Sequence, residues 1–238
     1  MKGEEPISIK ENALFVADAH YPHHGREFLT LLQKLESGEI VTPQLFLMGD
    51  IFDLLFGYND YIRTFLEEEI ALLNRLSRSI EMHYFEGNHD FLLRDIFPNI
   101  KIYSRELQPA VFYLGDERAG ISHGDRYAQG FDYDLYCKII RHRYLITFLE
   151  PLGKWLIDDR LEKLAKKSIC RPMKRFEERV KEIVASYSDI DLIIEGHYHQ
   201  GKRVGKYISL PSLACQKQVA VVKDGEIRFV DFGILQGR

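Results

Sequence analysis

Seven side chains in five short clusters have the chemistry of a shared site. They are Asp18 and His20 in Asp18-Ala19-His20, Asp50 in Gly49-Asp50, Asn88 in Gly87-Asn88-His89-Asp90, His123 in His123-Gly124-Asp125, and His197 and His199 in Gly196-His197-Tyr198-His199. Imidazole, carboxylate and amide donors suit hard or borderline divalent cations, and no cysteine belongs to the set, which argues against a structural zinc site. The donors exceed what one ion needs. Four nitrogen or oxygen ligands per ion is a common count, and Asp50 could serve two ions as a bridging carboxylate. Two ions roughly 3.5–4 Å apart form the usual clamp for in-line displacement at phosphorus. Any one of these histidines alone reads as a polar loop residue; their joint placement favours a dinuclear site.

Each cluster ends an apolar run of strand type: 13–17, 44–48, Met82 to Phe85, 119–122 and 192–194. In open α/β sheets ligands bind beyond the carboxyl ends of strands. Gly87 permits a tight bend there, and a two-residue step along an extended Asp18-Ala19-His20 would put both donors on one side. Gly25–Ser37 and Asn59–Ser79 carry helical apolar spacing between the strands. Beyond Pro98 a hairpin over 110–122 is followed by a helical stretch from Phe131 to Glu182. Strands at 207–210, 218–222 and 226–231 close the chain, the last two joined by a turn at Lys223-Asp224-Gly225. The expected fold class is α/β (α+β, four-layer), with two mixed β-sheets packed as a sandwich flanked by helices. One domain over 1–238 would carry a helical cap insertion at about 126–189.

With 238 residues, 45% hydrophobic and 29% charged, the composition is that of a soluble globular protein with a real core. A net charge of −4 gives no sign of a nucleic-acid binder. Cys137, Cys170 and Cys215 are odd in number and widely spaced, so they read as reduced thiols in a cytoplasmic protein. No secretory signal is evident. The longest apolar helical stretch, Tyr144–Ile157, is interrupted by charge, proline and glycine and falls short of the ~20 residues that cross a bilayer. Residues 131–182 hold 13 Lys+Arg against 9 Asp+Glu, a net +4 on an otherwise acidic chain, beside bulky groups such as Tyr144, Phe148 and Trp155. That mixture suits anionic headgroups at a membrane surface, or equally the packing of the insert onto the body.

Asp18-x-His20, Gly49-Asp50-x-x-Asp53, Gly87-Asn88-His89-Asp90, His123 and Gly196-His197-x-His199 resemble, in order, the five signature blocks of the calcineurin-like metallophosphoesterases. The resemblance implies Asp18, His20, Asp50 and His199 on one divalent ion and Asp50, Asn88, His123 and His197 on a second. His89 would contact the phosphate and assist the leaving group, making His89 and Asp50 the catalytic pair. Manganese is the family expectation, with iron, zinc and cobalt left open. Within the family the chain is most similar to the UDP-2,3-diacylglucosamine diphosphatases of lipid A biosynthesis, on Gly49 to Asp53, Gly87 to Leu93, His123 to Asp125 and the helical insert. This implies a lipid-nucleotide substrate cleaved to UMP and 2,3-diacylglucosamine 1-phosphate, in the cytoplasm and peripherally on the inner face of the inner membrane. The best-known branch has arginine where this chain has His89, which marks a divergent branch or another activity. The alternatives are a phosphoesterase for a soluble phosphodiester or nucleotide, and a non-catalytic scaffold.

Six further residues are candidate substrate contacts. Arg94 could grip a phosphate through two N–H groups. Asp53 could orient a ligand and Asp125 could support His123. Asp132, Tyr136 and Arg141 loosely follow that branch's Asp/Tyr/Arg pattern. His23 and His24 read as loop residues, and His83 and His142 as structural ones.

Overall fold

The computed structural model describes residues 7–126, 130–149 and 153–235, with the backbone alone for Gly130, Phe131, Tyr133, Tyr136, Leu145 and Leu149. The first half runs β1 (Ile7–Ser8), β2 (Leu14–Val16), α1 (Glu27–Ser37), β3 (Gln44–Leu47), β4 (Leu55–Phe56), α2 (Asp60–Phe65), α3 (Glu67–Leu76), β5 (Glu81–Phe85) and β6 (Asp90–Phe91). Next come β7 (Lys101–Tyr103), β8 (Ala110–Leu114), β9 (Glu117–Ser122), α4 (Gly130–Ile140), α5 (Arg143–Leu149), α6 (Gly153–Ala165) and α7 (Phe176–Ala185). The chain closes with β10 (Leu192–Glu195), β11 (Lys202–Val204), β12 (Tyr207–Ser209), α8 (Leu213–Gln216), β13 (Gln218–Lys223) and β14 (Glu226–Asp231).

Alternation along the strands builds the layers. Leu14, Val16, Leu45, Leu47, Met82 and Tyr84 face α1 to α3 and pack with Phe28, Leu31 and Leu73. The intervening Phe15, Phe46, Met48 and Phe85 point the other way, into a second sheet that contributes Phe112, Ile121, Ile194 and Ile208. Phe15 and Phe46 stack across this interior with centroids 4.3 Å apart. Burying each such side chain contributes roughly 1.5–3 kcal/mol. The sheet orders are β14-β13-β2-β3-β5-β7 and β1-β8-β9-β10-β12-β11. Both sheets are mixed: β2, β3, β5 and β7 run parallel, as do β9, β10 and β12, with antiparallel neighbours outside. The outer face of the second sheet presents Ile193 and Tyr207 to Phe176, Val180 and Ile183 of α7. Helix, sheet, sheet, helix makes the four-layer sandwich. Asp224 and Gly225 both take positive φ in the last hairpin turn, as its two-residue geometry requires.

Three local expectations are corrected. The 59–79 segment is two helices, not one. Asn59 caps α2 by accepting from Ile62 N at 3.0 Å, and the axis breaks at Leu66, which is buried while Phe65 turns outward. Asp18-Ala19-His20 is not extended: Asp18 and His20 have φ of 49° and 44°. Cys170 and Cys215 are not reduced thiols but a disulfide with Cα atoms 5.3 Å apart. Their separation of 45 residues conceals that the α6–α7 connection folds against α8. Cys137 is buried and takes no part in that bond.

The insert clings to the body rather than standing clear of it. Ile157 and Leu161 of α6 join the core under α1 to α3, and Tyr61 Oη donates to Asp158 at 2.6 Å. No helix among the described residues is long and apolar enough to cross a membrane.

Candidate metal centre

The donor clusters leave the carboxyl ends of β2, β3, β5, β9 and β10, which open on one edge of the sandwich. Asp18, His20, Asp50, His197 and His199 all adopt left-handed backbone, with φ between 44° and 60°. Non-glycine residues there cost of order 1–3 kcal/mol each and persist where the surroundings over-determine them. At Asp50 the neighbouring Asp90 does this. Its Oδ1 accepts from Asp50 N and Gly87 N, both at 2.9 Å, and its Oδ2 from Ile51 N at 2.7 Å and Tyr84 Oη at 2.7 Å. Two loops from adjacent strands are thus tied to one buried carboxylate. Gly87 is obligatory for the approach, since a Cβ there would lie 2.3 Å from Asp50 Oδ1.

The donors converge in three overlapping groups whose ligand atoms lie within 4.8 Å of one another: Asp18, His20 and His199; His20, Asp50 and His89; Asp50, His123 and His197. His199 Nε2 is 3.2 Å from Asp18 Oδ1, and His123 Nε2 is 3.6 Å from Asp50 Oδ2. Both ring nitrogens of His20, Nε2 of His123 and Oδ1 of Asn88 are buried with no hydrogen-bond partner among the described residues. Each such orphan costs about 1–3 kcal/mol unless something satisfies it. A pair of cations would do so, and the donors fit them. Supporting bonds fix the rings: His123 Nδ1 donates to Met48 O at 2.9 Å, which turns Nε2 inward. His89 Nδ1 donates to Asp53 O at 2.7 Å, and His89 N to Asp50 Oδ1 at 2.9 Å.

Other sequence candidates fall in varied places. Asp53 is wholly buried behind the donors, its Oδ2 accepting from His23 N at 2.9 Å and from His23 Nδ1 at 2.8 Å. Its Oδ1 is 3.8 Å from His20 Nδ1 and from His24 Nε2. So His23, exposed, and His24, half-buried, are loop residues in the turn after His20 whose rings face Asp53; the signal for this was Asp53, three residues past Asp50. No hydrogen bond joins Asp125 to His123 among the described residues, though its charge acts on that ring. It pairs with Arg105 Nε at 3.0 Å, and that arginine also reaches Asp134, while Asp132 is exposed. The Arg141 side chain is only 8% exposed. Its Nη2 donates to Gly87 O at 2.7 Å, and its Nε and Nη1 have no partner among the described residues. Arg94, exposed, and Arg141 border a hollow of about 350 Å³ with Tyr58, Glu86 and Leu92. Burial pushes the Glu86 carboxyl up to about 7. The Tyr136 side chain lies outside the described residues.

Charge divides the imidazoles into two kinds. Burial would lower His123, but the Asp50, Asp125 and Asp18 carboxylates overcome it and hold the ring up at about 9. His199 is likewise raised by Asp18 against the effect of burial. Burial lowers His20 to about 3, and burial together with His123 lowers His197 to about 4. Burial would raise Asp50, yet the surrounding imidazoles pull it far below the carboxylate range. A ligand must be unprotonated. Cation loading of the metal-free protein near pH 7 is therefore expected to release protons from His123 and His199 but not from His20 or His197. Cation affinity should rise with pH up to about 9. The raised His123 also stabilises the metal-free fold fully below about pH 6.5, and this contribution is lost as the pH climbs through 9. Calorimetric Mn²⁺ titration in buffers of different ionisation enthalpy measures the release; a value near zero at pH 7 would contradict this charge assignment.

The calcineurin-like phosphoesterase family model matches residues 12–201. A UDP-2,3-diacylglucosamine hydrolase of Hamiltonella defensa is 27% identical over 204 residues, spanning 79% of this chain and 77% of that protein. A protein of the same name from Vibrio cholerae is 24% identical over 198 residues, spanning 79% of this chain and 81% of its own. Among solved structures, a dimetal phosphatase from Danio rerio aligns with 96% of this chain and 100% of that one, at 14% identity and a TM-score of 0.45. The family match runs through all five donor loops, and the chain belongs to the calcineurin-like phosphoesterase family, as a metal-dependent phosphoesterase.

Proposed function

We propose that the chain hydrolyses the diphosphate of UDP-2,3-diacylglucosamine, giving UMP and 2,3-diacylglucosamine 1-phosphate. The observation that carries this reading is the exposed surface of the helices that follow β9, which Arg141 ties to a donor loop. On α5 and α6, Phe148 and Trp155 are 80% and 70% exposed, and the same two helices carry the basic Arg143 and Lys154. Arg141, at the end of α4, is hydrogen-bonded to the Gly87 loop itself. Exposed apolar and cationic groups on helices hydrogen-bonded to a phosphohydrolase centre suit a substrate with acyl chains and an anionic head. The relatives bearing the name of that hydrolase support the same substrate.

In this reading Asp18, His20, Asp50 and His199 hold one divalent ion, and Asp50, Asn88, His123 and His197 the other. Manganese is expected; iron, zinc and cobalt suit the same donors. Bound there, the ions supply Lewis-acid charge to the phosphoryl oxygens and activate the attacking water. Asp50, common to both sets, would supply negative charge to either ion. His89, held at Nδ1 by Asp53 O, turns its other nitrogen to the departing phosphate oxygen and gives it a proton or hydrogen bond. Arg141 offers Nε and Nη1 to a phosphate oxygen of the substrate.

Purified protein with its metals counted should release UMP from the diacyl compound far faster than from UDP-N-acetylglucosamine. Equal rates on both would remove the lipid from the reading. Arg141→Ala should lower kcat/KM by about 10–100-fold, the worth of a charge-assisted hydrogen bond. The exposed apolar groups of α4 to α6 would lie on the inner leaflet of the inner membrane, with the body in the cytoplasm. Flotation with anionic vesicles should then weaken at high salt and on removing the basic residues of the insert; flotation indifferent to both would refute the electrostatic contact.

A further inference from the structure

Helix α8 lies under one half of the donor set and grips it from two ends. Ser212 Oγ donates to Asp18 O at 2.8 Å, and Ala214 N donates to the same oxygen at 3.2 Å. At the other end, Gln216 Nε2 donates to His199 O at 2.5 Å while its Oε1 accepts from Ser212 N at 2.8 Å. Cys215 sits between these anchors, its Sγ 3.7 Å from His199 Nδ1. Asp18 and His199 both have left-handed backbone. The bonds from α8 are among those that hold it.

What reaches α8 from outside is the connection between α6 and α7. His24 Nε2 donates to Leu164 O at 3.1 Å, and Met173 N to Gln200 Oε1 at 3.2 Å. Between them Cys170, exposed, is bonded to the half-buried Cys215. The end of α6 is thus fastened at Leu164 and the non-helical segment 166–175 at Cys170 and Met173, and the covalent fastening ends on α8.

We propose that Cys170–Cys215 is a reversible redox site that controls the Asp18/His20/His199 half of the metal centre. Oxidised, the bond holds α8 and segment 166–175 against His199. Reduced, that half loosens and keeps its ion more weakly. The inference rests on the metal-centre reading given above. The reductant is a dithiol. One of its sulfurs attacks the exposed Cys170 Sγ, the Cys170–Cys215 bond breaks, and Cys215 departs as a thiol after taking a proton. The second sulfur then closes the reductant's own disulfide and releases Cys170 as a thiol, so two electrons and two protons pass to the protein. Exposed disulfides are the labile ones, and in a cytosolic protein they are usually transient or redox-sensing. Buried Cys137 offers no such access.

Groups that support a ligand from behind typically change metal affinity 10–100-fold. Reduction is therefore expected to weaken retention of one ion of the two by about tenfold. The full-length chain, oxidised or reduced with a phosphine and then desalted, is dialysed against a Mn²⁺ series. Ions per chain are counted by elemental analysis and thiols by mass-tagging in denaturant. Expected are two new thiols on reduction, a Cys170–Cys215 peptide pair before it, and weaker retention of one ion afterwards. The Cys170→Ser variant should bind like the reduced form under both conditions. All three cysteines tagging without reductant would overturn the proposal. So would equal retention by the two redox forms, which leaves the metal centre standing; failure of either form to bind any ion would remove the centre and this control with it.

Discussion

Asp50→Asn should reduce kcat/KM on bis-p-nitrophenyl phosphate by about a thousandfold while leaving the protein folded at 25 °C. Asp50 is the residue common to the two donor groups on either side of it, with His20 and His89 on one and His123 and His197 on the other. Asparagine keeps the volume and still accepts from His89 N, so the loop it belongs to stays closed. What it loses is the negative charge between two cations. That charge is worth several kcal/mol of transition-state stabilisation, and each 1.36 kcal/mol is tenfold in rate, hence the estimate of about a thousandfold. Without the carboxylate, His123 also loses the largest of the charges that hold it up, and its imidazole should titrate lower. Turnover and metal content measured together decide the matter. A variant within tenfold of the parent, still carrying two ions, would show that Asp50 does not bridge.

Asp90→Ala should do the opposite, striking the fold before the chemistry. Asp90 is fully buried and accepts from Asp50 N, Gly87 N, Ile51 N and Tyr84 Oη, with Phe52 N at 3.4 Å beyond. Alanine leaves at least four donors without acceptors, at about 1–3 kcal/mol each. A loss on the order of 4–8 kcal/mol approaches the whole stability of an ordinary domain, about 5–15 kcal/mol. The protein should be largely unfolded or insoluble at 25 °C, with Asp90→Asn intermediate because one acceptor oxygen survives. Urea unfolding measures both. A destabilisation below about 1 kcal/mol for the alanine variant would mean that the two loops hold themselves.

These two aspartates also mark how far the sequence could be read. Asp50 was legible because a continuous apolar run, Leu45 to Met48, reads as a strand buried on both faces, and its carboxyl end is where chemistry collects. The role of Asp90 was not, since nothing in Gly87-Asn88-His89-Asp90 says that its last carboxylate turns back to hold the loop of the neighbouring strand. The left-handed backbone at Asp18 and His20 was hidden for a related reason: a two-residue step reads as extended until a turn reshapes it. Helical spacing named the apolar face of 59–79 but not the break at Leu66, where no glycine or proline gives warning. Asp125 was placed beside His123 by adjacency alone; Arg105, twenty residues earlier, is its partner. The Cys170–Cys215 bond depends on how two distant segments meet, which spacing along the chain does not encode.

Helix α7 has a practical meaning for anyone grafting specificity between relatives. Although it falls in the stretch between His123 and His197, its Phe176, Val180 and Ile183 roof Ile193 and Tyr207. A chimera that exchanges α4 to α6 alone trades the surface a substrate would meet. One whose seam lies beyond Phe176 also replaces side chains that cover this strand pair, and a poor match there would make it sticky before it was selective.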